Sequence, residues 1–346
     1  MTGFRLIPQI FAQAEARLSP QIHDYLAGGA GREETLRRNR TALEGIRFLP
    51  RVLRDVSRVE ARTTFLGQSL RIPVFLSPVG SLGCFHPDGV CGSARAAARF
   101  GTLLFCGINA EVSLDEVVCH SDRPLGLQLY TYGDLDWAAA IVERAERLGF
   151  MAICLTVDVP APGWRERDIA NDHKILASLS RPNLPEGIRR TGGHPGRTSW
   201  EDLAFLRART DLPIIVKGIQ SPEDARLAAD AGAAAVYLSN HGGRQLDSCP
   251  STIELLPGIR QSIGNDLPLL IDSGFRHGTD VVKALALGAD AVGVGRLHAA
   301  ALAANGEAGV GSMLEIMEAE ILNTLAQLGV AKLADLGAVV LHSAPH

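Results

Sequence analysis

The chain has 346 residues, 46% of them hydrophobic, enough to bury one large α/β barrel with an extension or two ordinary domains. Its 38 acidic and 34 basic residues are interspersed and leave a formal charge of -4, which argues against a nucleic-acid or membrane-surface partner. Six cysteines without a C-x-x-C pair, and no apolar run of about 18 residues, lead us to expect a soluble, cytoplasmic protein with free thiols.

The segment from Met1 to Pro20 reads as an amphipathic helix without a signal-peptide core. Gly28-Gly29-Ala30-Gly31 follows no strand and reads as a helix stop. The basic runs Arg37-Arg38-Asn39-Arg40 and Arg189-Arg190 read as solvated faces. Residues 1–72 are expected to form a mostly helical extension over one end of residues 73–346. From there, short apolar runs alternate with stretches of helical periodicity. The strand candidates are Pro73–Gly80, Thr102–Gly107, Leu125–Tyr130, Met151–Asp158, Leu212–Gly218, Ala234–Asn240, Pro268–Gly274 and Ala291–Arg296. Eight continuous apolar strands separated by helices predict a closed (β/α)8 barrel over an open sheet. Between the fourth and fifth candidates the excess chain, Glu166–Arg197, is rich in Pro, Gly, Asn and Arg and reads as a long mobile loop, more often a lid than a linker.

Chemistry in such barrels sits at the carboxyl ends of the strands, and here nearly every strand ends in polar groups that would be costly to bury unpartnered. After the last two strands stand DSGFRHGTD and GVGRL. Gly274 and Gly295 let the backbone approach an anion that Arg276 and Arg296 could clamp, the bland reading being that both arginines pair with Asp280 and Asp290. His241 ends the sixth strand and Asp158 the fourth; together they could make an oriented general base. Arg165 and Arg244 near the same mouth suit a carboxylate. Lys217 suits either a Schiff-base nucleophile or a fixed charge against a cofactor. Tyr25 and Tyr130 suit packing as readily as chemistry. A dinucleotide fingerprint, a P-loop and H-E-x-x-H are absent, and no metal constellation stands out.

The segments DYLAGGAGREETLRRNRTAL, PVFLSPVG, QLYTYGD, LTVDVPAPGWRERD, LPIIVKGI, SNHGGRQLD and DSGFRHGTDVVKALALGADAVGVGR resemble the family of FMN-dependent 2-hydroxy acid oxidases and dehydrogenases, from about Asp24 to Gly309. The resemblance implies FMN as cofactor, oxidation of a small 2-hydroxy acid to the 2-keto acid, reoxidation by oxygen or another electron acceptor, and a homo-oligomer, by resemblance a tetramer. It makes His241 the base and Asp158 its partner. Arg165 and Arg244 resemble the carboxylate-binding residues, and Tyr25 and Tyr130 the active-site tyrosines. Lys217 resembles the lysine at flavin N1 and O2. Pro78, Val79, Gly80, Gly107, Gln128, Tyr130, Thr156 and Ser239 match flavin contacts and Asp272 the ribityl contact. Ser273, Gly274, Arg276, Gly295 and Arg296 match the phosphate end.

The chain departs from the family pattern at Val79 (often Thr), Gly80 (often Ala in oxidases), Gly107 (Ser), Ser273 (Gly), Leu297 (Pro) and Gly126-Leu127, which suggests a roomier pocket suited to an aryl or branched acid. Whether His241 first takes the hydroxyl proton or the α-proton is open. The rival readings are a barrel lyase or isomerase of a phosphorylated substrate using Lys217, and a flavin-binding protein without turnover.

Overall fold

The computed structural model describes residues 3–132, 134–172, 180–185, 188 and 198–342. Eight short strands build a barrel: β1 Val74–Leu76, β2 Phe105–Gly107, β3 Gly126–Leu129, β4 Ala152–Thr156, β5 Ile214–Ile219, β6 Ala235–Leu238, β7 Leu269–Ile271 and β8 Ala291–Val294. From β2 to β8 each strand pairs in parallel with the next, β8 pairs with β1, and a parallel bridge between Leu76 and Leu104 closes the ring between β1 and β2. Seven of the eight sequence candidates contain one of these strands, and Leu212–Gly218 covers all of β5 but Ile219.

Alternation along each strand decides the two cores. Phe75, Phe105, Ala152, Cys154, Ile215, Ala235, Tyr237, Leu270 and Ala291 form the barrel interior, whereas Val74, Leu76, Ile153, Leu155, Val216 and Val236 pack under the helices. The helices start where their side chains can satisfy free backbone N–H groups. Asp134 accepts from Trp137 ahead of Leu135–Arg147, and Ser221 accepts from Asp224 ahead of Pro222–Asp230, whose first residue is the proline expected there. Thr252–Ile263 opens with a Ser251–Glu254 capping box.

The extension carries helices Ile7–Arg17, Pro20–Ala27 and Glu34–Gly45, and Gly28 ends the second, as the glycine run implied. It is less helical than the sequence suggested. A hairpin, Thr63–Phe65 with Gln68–Leu70, sends Phe65 and Leu70 into the barrel interior, and Arg47–Phe48 pairs antiparallel with Leu341–His342. A long C-terminal helix, Arg296–Leu328, is interrupted by non-helical angles at Asn305 and Gly306. No described helix is long and apolar enough to cross a membrane.

Two readings need correction. Arg37–Arg40 is not a solvated face throughout: Asn39 is buried against Asn240, and Arg40 pairs with Asp280 at 2.6 Å and donates to the Gly274 carbonyl at 2.7 Å. Asn39 and Arg40 face inward because Glu34–Gly45 packs against the segments that follow β6 and β7. Glu166–Arg197 is not loop from its start, since Glu166–Ala170 is a helical turn with Glu166 and Asp168 in its first turn; most of the remainder of that segment, and Arg189-Arg190, lie outside the described residues.

His298, at the start of the C-terminal helix, is completely buried, with Nε2 2.8 Å from Ser93 Oγ. Burial pushes its pKa down from 6.5 to about 3, so the folded state holds it neutral. That stability is complete above about pH 6.5 and is lost as pH falls toward 3, because the unfolded chain binds the proton more readily. We expect the melting temperature to drop across this window, and His298→Gln to flatten the drop; equal slopes for both proteins in thermal melts would refute the assignment.

Candidate active site

Inward-facing positions are apolar at the bottom of the barrel and turn polar toward the carboxyl ends. Phe75 is followed by Ser77, Cys154 by Thr156, Ile215 by Lys217, and Leu270 by Asp272. These ends open into one cavity of about 320 Å³, lined by residues from the barrel and from the extension. Of the residues singled out in the sequence, Tyr25, Pro78, Val79, Gly80, Gln128, Tyr130, Thr156, Arg165, Lys217, His241, Arg244, Asp272, Ser273, Gly274, Arg276, Gly295 and Arg296 line it. Gly107, Asp158 and Ser239 do not; they stand directly behind residues that do.

His241 Nδ1 lies 2.9 Å from Asp158 Oδ1, with Asp158 only 2% exposed and His241 24%. Burial opposes ionisation of Asp158, but the charges of His241 and Lys217 and the hydrogen bond from the imidazole outweigh it and hold the carboxyl below its ordinary range. The backbone is shaped for this pair. His241 has φ 56°, and its own N–H donates to Ser239 Oγ at 3.1 Å. Gly218, at the bulge in β5, has φ 111°, and a Cβ there would lie 2.5 Å from the Asp158 Cβ. Only glycine combines that conformation with that approach. Asp158→Asn should therefore leave folding intact and lower kcat by about two to four orders of magnitude; rates within a factor of three of the parent, in steady-state assays of cofactor-loaded protein, would remove Asp158 from the site.

Two arginines converge on the same space. Arg244 lies 4.9 Å from the Tyr25 ring centroid and donates to the Tyr25 and Gly28 carbonyls. Burial and the neighbouring Arg165 both disfavour its charge, and Arg165 is matched by Asp168 at 3.0 Å. An incoming carboxylate would relieve that strain. The Tyr130 phenol is pushed well up by burial and by Asp158, so it stays a proton donor.

Lys217 is a fixed cation. Burial would neutralise it, but Asp272 and Asp158 overcome this and raise its pKa. Its ammonium donates to Ser239 Oγ at 2.9 Å. An imine-forming lysine needs a neutral amine, so the lyase reading loses its nucleophile.

At the opposite end of the cavity, Gly274 has φ 93°, Gly295 leads into the N-terminus of the C-terminal helix, and Arg276 lies over the Phe11 ring. The bland pairings are not formed by these arginines: Asp280 takes Arg40 and Asp290 takes Arg260. Burial and Arg40 disfavour the Arg276 charge, so this end is short of an anion. Arg296 lines the same end, and its guanidinium also donates to the carbonyls of Leu26, Gly242 and Gly28 at 3.1, 2.6 and 2.6 Å, so that it braces these loops as well. Ser273, where a glycine is usual, accepts φ 82° while its hydroxyl donates to Asp272 and accepts from the Gly242 N–H.

The residues fit a flavin mononucleotide. Gln128 Nε2 and Thr156 Oγ1 are buried without a hydrogen-bond partner, side by side on the cavity wall, as groups awaiting the polar edge of a ring system would be. The anion-deficient end with its glycines suits a phosphate. The profile of the FMN-dependent dehydrogenases matches residues 14–343.

The chain belongs to that family.

FMN is accordingly its cofactor. Rice glycolate oxidase 1 (Oryza sativa subsp. japonica) is 42% identical over 339 residues, covering 94% of this chain and 92% of its own. Glycolate oxidase of Spinacia oleracea is 41% identical over 340 residues with the same coverages. Among solved structures, a soluble mutant of the membrane-associated (S)-mandelate dehydrogenase from Pseudomonas putida superposes with a TM-score of 0.94 at 36% identity, covering 99% of this chain and all of that one. A mandelate oxidase superposes at 0.87 with 37% identity over 98% of both chains.

Sequence reasoning missed Asn109, Tyr132 and Arg181, which line the cavity; the Tyr132 hydroxyl donates to Asn109 at 2.9 Å. Asn109 and Tyr132 follow β2 and β3 in loops with no strand alternation to mark them, and Tyr132 reaches inward only because it adopts φ 52°. Elsewhere, Cys91, Glu116 and His120 bring ligand-type atoms within 4.8 Å of one another, a grouping invisible in the sequence, but the Arg95 guanidinium lies 3.1 Å from His120 and opposes a cation there.

Proposed function

We propose that this flavoprotein oxidises an aryl-substituted 2-hydroxy acid to the 2-keto acid, with His241 as base. The observation that carries the reaction is the His241–Asp158 pair facing a buried arginine across one cavity. In this reading the substrate carboxylate lies against Arg244 and Arg165, and the Tyr130 hydroxyl donates to a substrate oxygen. Asp158 holds Nδ1 of His241, which turns Nε2 toward the substrate as the proton-accepting atom. The imidazolium that results faces a carboxylate already ionised in the dry interior. Bound FMN supplies the two-electron sink. The fixed charge of Lys217 favours negative charge at the cavity wall next to it.

The aryl preference is supported by room and by lining. Gly80 presents no side chain, and Tyr25, Phe85, Tyr130 and Tyr132 line the same cavity. The structural neighbours named for mandelate support the same substrate class, while the sequence relatives named for glycolate favour a smaller one. The reading extends to a cytoplasmic homo-oligomer, a tetramer. Six free cysteines support a reducing compartment; relatives named as peroxisomal, and one described as a monotopic membrane protein, favour other locations. The electron acceptor is either oxygen or a carrier.

Anaerobic addition of (S)-mandelate should bleach the visible flavin bands, and kcat/KM should favour mandelate over glycolate by at least tenfold; the reverse ratio would overturn the aryl assignment. Return of the bands on admitting air would make the enzyme an oxidase. His241→Ala should retain FMN and lose most turnover, whereas normal turnover would mean that another group is the base.

A further inference from the structure

Along one wall of the cavity and into the barrel interior behind it runs a set of buried polar groups that the reaction above does not use. Tyr237 of β6 is fully buried, T-stacked on Phe75, and its hydroxyl donates to Asp272 Oδ2 at 2.9 Å. A tyrosine has one proton to give. The 2.9 Å contact between Tyr237 and Ser77 therefore has Ser77 as donor, and the order runs from Ser77 to Tyr237 to Asp272. The other carboxylate oxygen, Oδ1, accepts from Ser239 at 2.6 Å and from Ser273 at 2.8 Å. Three hydroxyls thus converge on one buried carboxylate. Room for the pair is made by β8: a side chain on Gly293 would run into both Ser77 Oγ and the Tyr237 hydroxyl.

The consequence falls on Lys217. A buried ammonium and carboxylate this close would ordinarily meet at about 2.7–2.9 Å. Here Lys217 Nζ stays 3.7 Å from Asp272 Oδ2 and gives a proton instead to Ser239. Tyr237, bonded to that same oxygen, anchors it where it stands. Two of its three N–H groups remain for the cavity it lines.

We propose that Tyr237, backed by Ser77, is a positioning residue that holds Asp272 short of direct contact with Lys217, so that more of the ammonium's field acts on the bound FMN and raises its reduction potential. The inference rests on the assignment of FMN to this cavity. Without the Tyr237 hydroxyl, Asp272 Oδ2 is free to close on Lys217, and less positive field reaches the cofactor.

Tyr237→Phe keeps the ring, its packing on Phe75 and its place 5.1 Å below the ammonium, and removes the hydroxyl alone. We measure the midpoint potential of the holoenzyme by dye-linked reduction, and the dissociation constant of sulfite, which adds to flavins made electron-poor by a nearby cation. In Tyr237→Phe the ratio of reduced to oxidised flavin at a fixed reference potential should fall about tenfold, equivalent to about 30 mV for a two-electron couple, and sulfite should bind more weakly by a similar factor. Ser77→Ala should shift both in the same direction by less, and it carries the test should Tyr237→Phe fail to take up FMN. Unchanged potentials and sulfite affinities in FMN-loaded variants overturn this inference alone. A wild-type chain that takes up no FMN overturns the proposed function and this inference with it.

Discussion

Closure of the parallel barrel is the constraint on which everything else depends. Each strand is buried on both faces, one under helices and one inside the ring, so an inward polar group finds water or a ligand only at an end of the ring. At the amino ends a hairpin pushes Phe65 and Leu70 into the interior. Polar side chains are therefore confined to the carboxyl ends, and closure brings eight of those ends around a single cavity. The chemistry is concentrated by the geometry of the ring, before any residue is chosen for it.

The charges inside that cavity are then organised in layers. Lowest are the hydroxyls around Asp272; above them Lys217 is a permanent cation; at the rim His241 is bound to Asp158. Each buried charge is answered by an opposite charge or by several hydrogen bonds, which is the condition for keeping it ionised away from water. The unanswered groups, Gln128 and Thr156 on the wall and Arg276 at the far end, mark where a polar ring and an anion complete the set.

Much of this was legible in the sequence because the barrel converts a one-dimensional signal into a three-dimensional one. A strand whose apolar run ends in alternating polar residues announces both its direction and its mouth, which is why Lys217, His241 and Asp272 could be placed from their strands alone. What could not be read lies where no periodicity operates. Tyr132 and Asn109 enter the site from loops, through a left-handed backbone and a hydrogen bond to each other. The bracing contacts of Arg296 could not be read either, since its three carbonyl partners lie far apart in the chain. Asn39 and Arg40 looked solvated within a basic run, yet the packing of their helix against the segments after β6 and β7 turned them inward.

The Arg296 brace has a further meaning. One guanidinium holds Leu26 and Gly28 from the N-terminal extension and Gly242 from the loop that follows the catalytic histidine. Arg244 ties Tyr25 and Gly28 to the same loop. Docking of the Tyr25–Gly28 segment and ordering of the histidine loop are thus coupled through the same two side chains, and a ligand that favours one favours the other. The extension is less a cap laid over a finished barrel than the last wall of a vessel, and the vessel has no mouth until that wall is set.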